Sequence, residues 1–158
     1  YRIEYQLLQT SEYGLVRLDK ISETLGNSVT LSEVELLELA NKYANEMREK
    51  IQKNIDTDKN NAVFLQSLIT DFDGYYSGAY SLSKDMVDGT ADFSKIGLRS
   101  KDMSTKLLTL QSKLSKFQSE RSDSFNYAFE SVSEQAESTS MIGVIVGSIT
   151  IILLFVVQ

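Results

Sequence analysis

The chain has 158 residues, 22 acids against 16 bases, and no Pro, Cys, His or Trp. These absences argue against imidazole acid–base chemistry, thiol chemistry and most metal centres. A net charge of −6 without a basic stripe argues against a nucleic-acid interface.

A chain this long without Pro suits uninterrupted helices, because Pro breaks a helix interior. Apolar residues recur every three or four positions, the spacing of one helix face. The first helix carries Ile3, Leu7, Leu8, Leu15, Leu18, Ile21 and Leu25, and is predicted to end at Gly26-Asn27, which suit a left-handed cap. Thr30-Leu-Ser-Glu33 has the form of a capping box, with Thr30 as N-cap and Glu33 reaching back. A second helix is expected from Leu31 to Ile55, with Val34, Leu37, Ala40, Ala44, Met47, Ile51 and Ile55 as its stripe. Asp56–Asn61 is a polar turn. It resembles the start of a calcium loop, but Asn61 and Ser67 stand where such a loop needs Gly and Glu, so capping is the better reading.

The third helix is expected from Ala62 to Asp88, with Leu65, Leu68, Phe72, Tyr75, Ala79, Leu82 and Met86 stepping by three and four as a bundle seam does. Gly74 and Gly78 read as a smooth edge for close helix packing. After a turn at Gly89-Thr90, a last helix begins near Asp92. It carries Met103, Leu107, Leu110, Leu114 and Phe117, then Phe125, Ala128, Phe129, Val132 and Ala136. Nothing alternates with period two, so no strand is expected. The fold class is therefore all-α, an antiparallel up-down-up-down four-helix bundle.

Met141–Val157 carries no charge. A bilayer core needs about 20 apolar residues, with a lower limit near 17, so this stretch reads as a transmembrane helix continuing the last helix of the bundle. Gly143 and Gly147 form a G-x-x-x-G pair, a packing face for a second membrane helix. Between Arg121 and Met141 the charged residues are Asp123, Glu130, Glu134 and Glu137. Cytoplasmic flanks favour Lys and Arg, so residues 1–140 are placed outside the cytoplasm, with 141–158 as the membrane helix. The first helix is much shorter than the last, so it is expected to continue upstream of Tyr1 from another span. The end at the membrane helix implies a missing cytoplasmic part.

The layout, together with Asp71-Phe-Asp-Gly-Tyr-Tyr-Ser-Gly-Ala-Tyr80 and the turn Met86-Val-Asp-Gly89, resembles the extracytoplasmic sensor module of bacterial methyl-accepting chemotaxis proteins. The resemblance implies a homodimer in the bacterial inner membrane. It also implies a small-molecule ligand or a ligand-loaded periplasmic binding protein, and a chemotaxis kinase reached through the cytoplasmic part. Sensor histidine kinases and diguanylate cyclases use similar modules.

Counting turns from the membrane-distal end puts Arg17, Glu38, Tyr80, Arg99 and Ser100 in one layer, where two guanidiniums grip a carboxylate. In the family, ligand is held near the distal end by arginines of the first helix and polar groups of the fourth, to which Arg17 and Arg99-Ser100 are similar. Tyr76 and Tyr80, four apart, are candidates for a pocket mouth, while Tyr75 belongs to the core. Arg121 falls at a seam position and marks a weak point in the last helix. Without Glu-x-x-His or a phosphate-binding glycine loop, no enzyme, metal or cofactor is expected. A membrane-tethered helical interaction protein is the other class that fits.

Overall fold

The computed structural model describes residues 2–135. Among them are four helices and no strand: α1 (Arg2–Leu31), α2 (Val34–Thr57), α3 (Ala62–Val87) and α4 (Phe93–Gln135). No helix among the described residues is long and apolar enough to cross a membrane. Met141–Val157, with Gly143 and Gly147, lies outside the described residues.

α1 differs most from expectation. It runs through Gly26 and Asn27 to Leu31, and the left-handed residue is Ser32, with φ 56°. The Glu33 amide donates to Ser28 O at 3.0 Å and the Ser32 amide to Val29 O at 3.3 Å, which is a Schellman ending. The expected capping box does not form. Thr30 Oγ1 donates back to Gly26 O within α1, and Glu33 itself is the N-cap of α2, without a side-chain cap bond. Tertiary burial overrides the local signal here. Leu7, Ser11, Gly14, Leu18, Ile21, Leu25 and Ser28 form an unbroken stripe of buried residues spaced by three and four. Ser11 and Ser28 give their hydroxyls to Leu8 O and Leu25 O, so each is satisfied inside its own helix. Gly14 is the close approach of the fold, since a Cβ there would lie 3.3 Å from Leu114 Cδ1.

α3 ends with the same motif around a glycine. Gly89 has φ 71°, and the Thr90 amide donates to Asp85 O at 2.8 Å. Asp92 then starts α4, its Oδ1 accepting the Ser94 amide and hydroxyl. These bonds favour the carboxylate and hold the Asp92 pKa below its ordinary value. In the α2–α3 turn, Asp58 is buried and accepts from the Asn60 amide and the Asn61 side chain. Its carboxylate is spent on the turn itself rather than on a helix cap, and Asn61, the N-cap of α3, makes no side-chain cap bond.

One core joins all four helices. It includes Leu18, Ile21, Leu37, Met47, Leu65, Phe72, Tyr75, Leu110 and Leu114. The stripes of α2 and α3 read from sequence are buried except at three end positions: Val34 and Met86, near the two Schellman turns, are 51% and 37% exposed, and Ile55 is half-buried. The numbering of α1 and α2 runs in opposite senses where they touch, with Thr10 against Asn54 and Arg17 against Glu46.

Candidate functional site

The expected layer does not assemble as counted. Arg17 Nη2 lies 3.0 Å from Glu46 Oε2, and its guanidinium lies 5.1 Å and 4.8 Å from the ring centroids of Tyr13 and Tyr43. Glu38 is exposed and eight residues nearer the α1–α2 turn than Glu46, about 12 Å at 1.5 Å per residue. Arg99 sits on the α3 side of α4, donating from Nη1 to Asp85 Oδ2 at 2.7 Å and from Nη2 to Ser81 Oγ at 3.1 Å. Ser100 beside it is half-buried. The cause is the turn placement. α1 continues to Leu31 rather than stopping at Gly26, so Arg17 lies more than a turn deeper than counted, and no bidentate pair of guanidiniums forms.

Tyr76 and Tyr80 do come together, with ring centroids 5.9 Å apart, but in a packed face rather than a pocket mouth. Tyr76 is buried, stacks on Phe72 at 5.7 Å and donates to Asn41 Oδ1 at 2.5 Å. Arg48 closes this α2–α3 face. Its guanidinium carbon lies 5.3 Å and 5.5 Å from the Phe72 and Tyr76 centroids, and Nε donates to Asp73 Oδ1 at 2.7 Å. Burial, with Tyr80 adding to it, pushes the Tyr76 pKa up to about 12, and Arg48 opposes the shift. Burial also raises the pKa of Tyr75, whose hydroxyl has found Ser22 on α1.

The opposite face of α3 is open. A Cβ on Gly74 or Gly78 would meet nothing within 4 Å, so these glycines do not serve close helix packing as the sequence led one to expect. With Ser77 and Ser81 they form one wall of a cleft of about 320 Å³; Arg99, Asp102 and Lys106 of α4 form the other. Lys106 Nζ is 2.9 Å from Asp102 Oδ2. The cleft thus carries Arg99, paired with Asp85, the Lys106–Asp102 pair and the hydroxyls of Ser77 and Ser81, beside Tyr75 and Met103. Such a set suits a small molecule carrying both acidic and basic groups. Arg99 is the residue of the expected layer that belongs to it. Asp102, Lys106, Ser77 and Ser81 were missed. For Ser77 and Ser81 the signal was a run of small residues on one face of α3, legible in position but not in purpose; Asp102 and Lys106 of α4 carried none.

Further down, Arg121 bridges α4 to α1. Its Nη1 lies 3.3 Å from Glu4 Oε2 and its guanidinium 5.3 Å from the Phe117 centroid; its Nε is buried with no partner among the described residues. Tyr5 and Phe125 meet just beyond it at 6.3 Å. The seam position anticipated for Arg121 is therefore a tie between α1 and α4. Compared with family models, with curated proteins and with solved structures, the chain matches none.

Proposed function

We propose that this chain is the ligand-sensing part of a bacterial transmembrane chemoreceptor. In this reading the four helices form an antiparallel up-down-up-down bundle, a topology favoured by the opposed numbering of the α1–α2 contacts. Residues 1–140 lie outside the cytoplasmic membrane, and Met141–Val157 carries α4 across it in a homodimer. The uncharged stretch and its acidic flank support that orientation. The observation that carries the reading is the α3–α4 cleft, a ligand-sized opening with Arg99 among its lining residues. Ligand in the cleft favours one packing of α3 against α4, and a small shift of α4 passes to the cytoplasmic side.

The test is a thermal melt of the full chain in detergent against a panel of amino acids, organic acids and amines. A ligand at a hundred times its dissociation constant adds about 2.7 kcal/mol. A shift with one chemical class that disappears in Arg99→Ala, while far-UV circular dichroism stays helical, is the expected result. A flat panel with folded protein overturns direct sensing. A shift that survives Arg99→Ala removes the cleft from the reading.

A further inference from the structure

A second cleft lies at the other end of the α1–α2 pair, with a volume of about 220 Å³. Its rim is Gln6 and Gln9 of α1 and Lys50 and Lys53 of α2; Thr10 and Asn54 form its floor. No acid lines it, in a chain where acids outnumber bases 22 to 16. We propose that this cleft binds a small oxyanion, a carboxylate or phosphate group on a free solute.

The argument begins with the two lysines. Lys50 and Lys53 are three residues apart, so both ammonium groups reach the same side of α2. Among the described residues neither makes an ion pair, whereas Arg17, Arg48, Arg99, Lys113 and Arg121 each hold a carboxylate across a helix–helix boundary or on a neighbouring helix. Glu49, four residues before Lys53, is exposed and does not line the cleft, and the other nearby acids are engaged elsewhere. Glu46 is on Arg17, Asp56 accepts from Gln52 Nε2 at 3.1 Å, and Asp58 is folded onto Asn60 and Asn61.

The floor is built rather than incidental. Thr10 and Asn54 are 4% and 7% exposed. Asn54 Nδ2 donates to Thr10 Oγ1 at 2.7 Å and to Lys50 O at 2.9 Å. Thr10 Oγ1 is therefore an acceptor towards Asn54, which leaves its own proton to give. The Thr10 hydroxyl, the Gln6 amide and Lys53 line one small volume. Lys50, whose Nζ lies 5.8 Å from the Tyr13 centroid, and Gln9, whose Nε2 donates to Tyr5 Oη at 2.8 Å, line it too and turn to an anion by rotation of exposed side chains. Together they are a donor-rich set that suits an oxyanion. The negative end of α2 is nearby, but three of its carbonyls, those of Lys53, Asn54 and Ile55, have side-chain or turn partners. Thr57 Oγ1 donates to Lys53 O at 3.0 Å, the Asp58 amide to Asn54 O at 2.8 Å, and Lys59 Nζ to Ile55 O at 3.4 Å. Both lysines are exposed, so binding is modest and salt-sensitive.

The inference stands on this lining alone and does not need the sensor reading, whose cleft lies between α3 and α4. The test titrates the full chain in detergent with succinate and, separately, with inorganic phosphate, following the side-chain amide signals of Gln6, Gln9 and Asn54 by NMR. The expected result is saturable movement of these signals with at least one probe. Lys53→Gln weakens it roughly tenfold, as loss of a charge-assisted bond implies; Lys106→Gln in the other cleft leaves it unchanged. Which probe saturates the site says whether a carboxylate or a phosphate is the natural group. Absence of saturation by both probes at low ionic strength, with helical circular dichroism retained, overturns the proposal. So does binding that Lys50→Gln and Lys53→Gln together fail to weaken.

Discussion

The two sides of α3 show what the same helix does with different residues. Towards α2 it presents Phe72, Tyr76 and Tyr80, and Arg48 and Asn41 close over Phe72 and Tyr76. Towards α4 it presents Gly74, Ser77, Gly78 and Ser81, and the neighbouring helix does not move in to fill the space. The α3–α4 pair is held at this level by Arg99 reaching Asp85 and Ser81, a polar strut across a gap. Aromatic side chains hold a helix pair together by area and stacking. Small residues hold one together only if backbones close up, and here a Cβ at either glycine would find open space. The aromatic side is thus a structural seam, and the small-residue side is a surface left available.

Several substitutions break or sharpen this contrast. Phe72→Ala removes a fully buried ring from the aromatic side and is expected to cost about 3–5 kcal/mol, read by chemical denaturation. A loss under about 1 kcal/mol would mean the seam is not the main tie between α2 and α3. Tyr76→Phe keeps the ring and removes its bond to Asn41, an expected loss of about 1 kcal/mol at neutral pH. The same variant tests the pH dependence. Below the ordinary tyrosine value of about 10, Tyr76 is neutral in both folded and unfolded chains. Above it the unfolded chain ionises first, so stability falls as pH rises towards the folded value of about 12. Tyr76→Phe should show a smaller alkaline loss than the parent in melts across that window.

On the open side the sign reverses. Gly78→Ala meets nothing and gains helix propensity, an expected stabilisation of up to about 1 kcal/mol. A clear destabilisation would show that α3 and α4 close up in solution and that the cleft is filled. The smallest effect belongs to the α1–α2 turn. Ser32 holds a left-handed backbone that Gly adopts freely at the equivalent place after α3, Gly89. Ser32→Gly should therefore stabilise by a few tenths of a kcal/mol, net of the extra freedom Gly brings to the unfolded chain.

How far the molecule was legible follows from which signals are local. The periodic apolar stripes of α2, α3 and the upper part of α4 placed those helices and most of their buried residues, because a core needs one apolar face per helix. α1 was cut short because Gly26-Asn27 reads as a left-handed cap, while the buried stripe, which includes Ser11, Gly14 and Ser28, runs on beyond it. Their burial depends on hydroxyls bonding within the helix and on Leu114 reaching Gly14. Misplacing that one turn shifted Arg17 out of register with Arg99, and with it the expected layer.

By itself, then, the sequence determined the all-helical class and the four helices of the described residues, the turns at Asp56–Asn61 and Gly89-Thr90, and the core of α2 and α3. Spacing and turn chemistry act over a few residues, so a single chain carries that information. Tertiary structure alone decided where α1 ends, which flank of α3 is filled and which is open, and that Lys50 and Lys53 face Gln6 and Thr10 across a cleft. Those outcomes depend on the distance and rotation between helices, which the packing of the whole core sets.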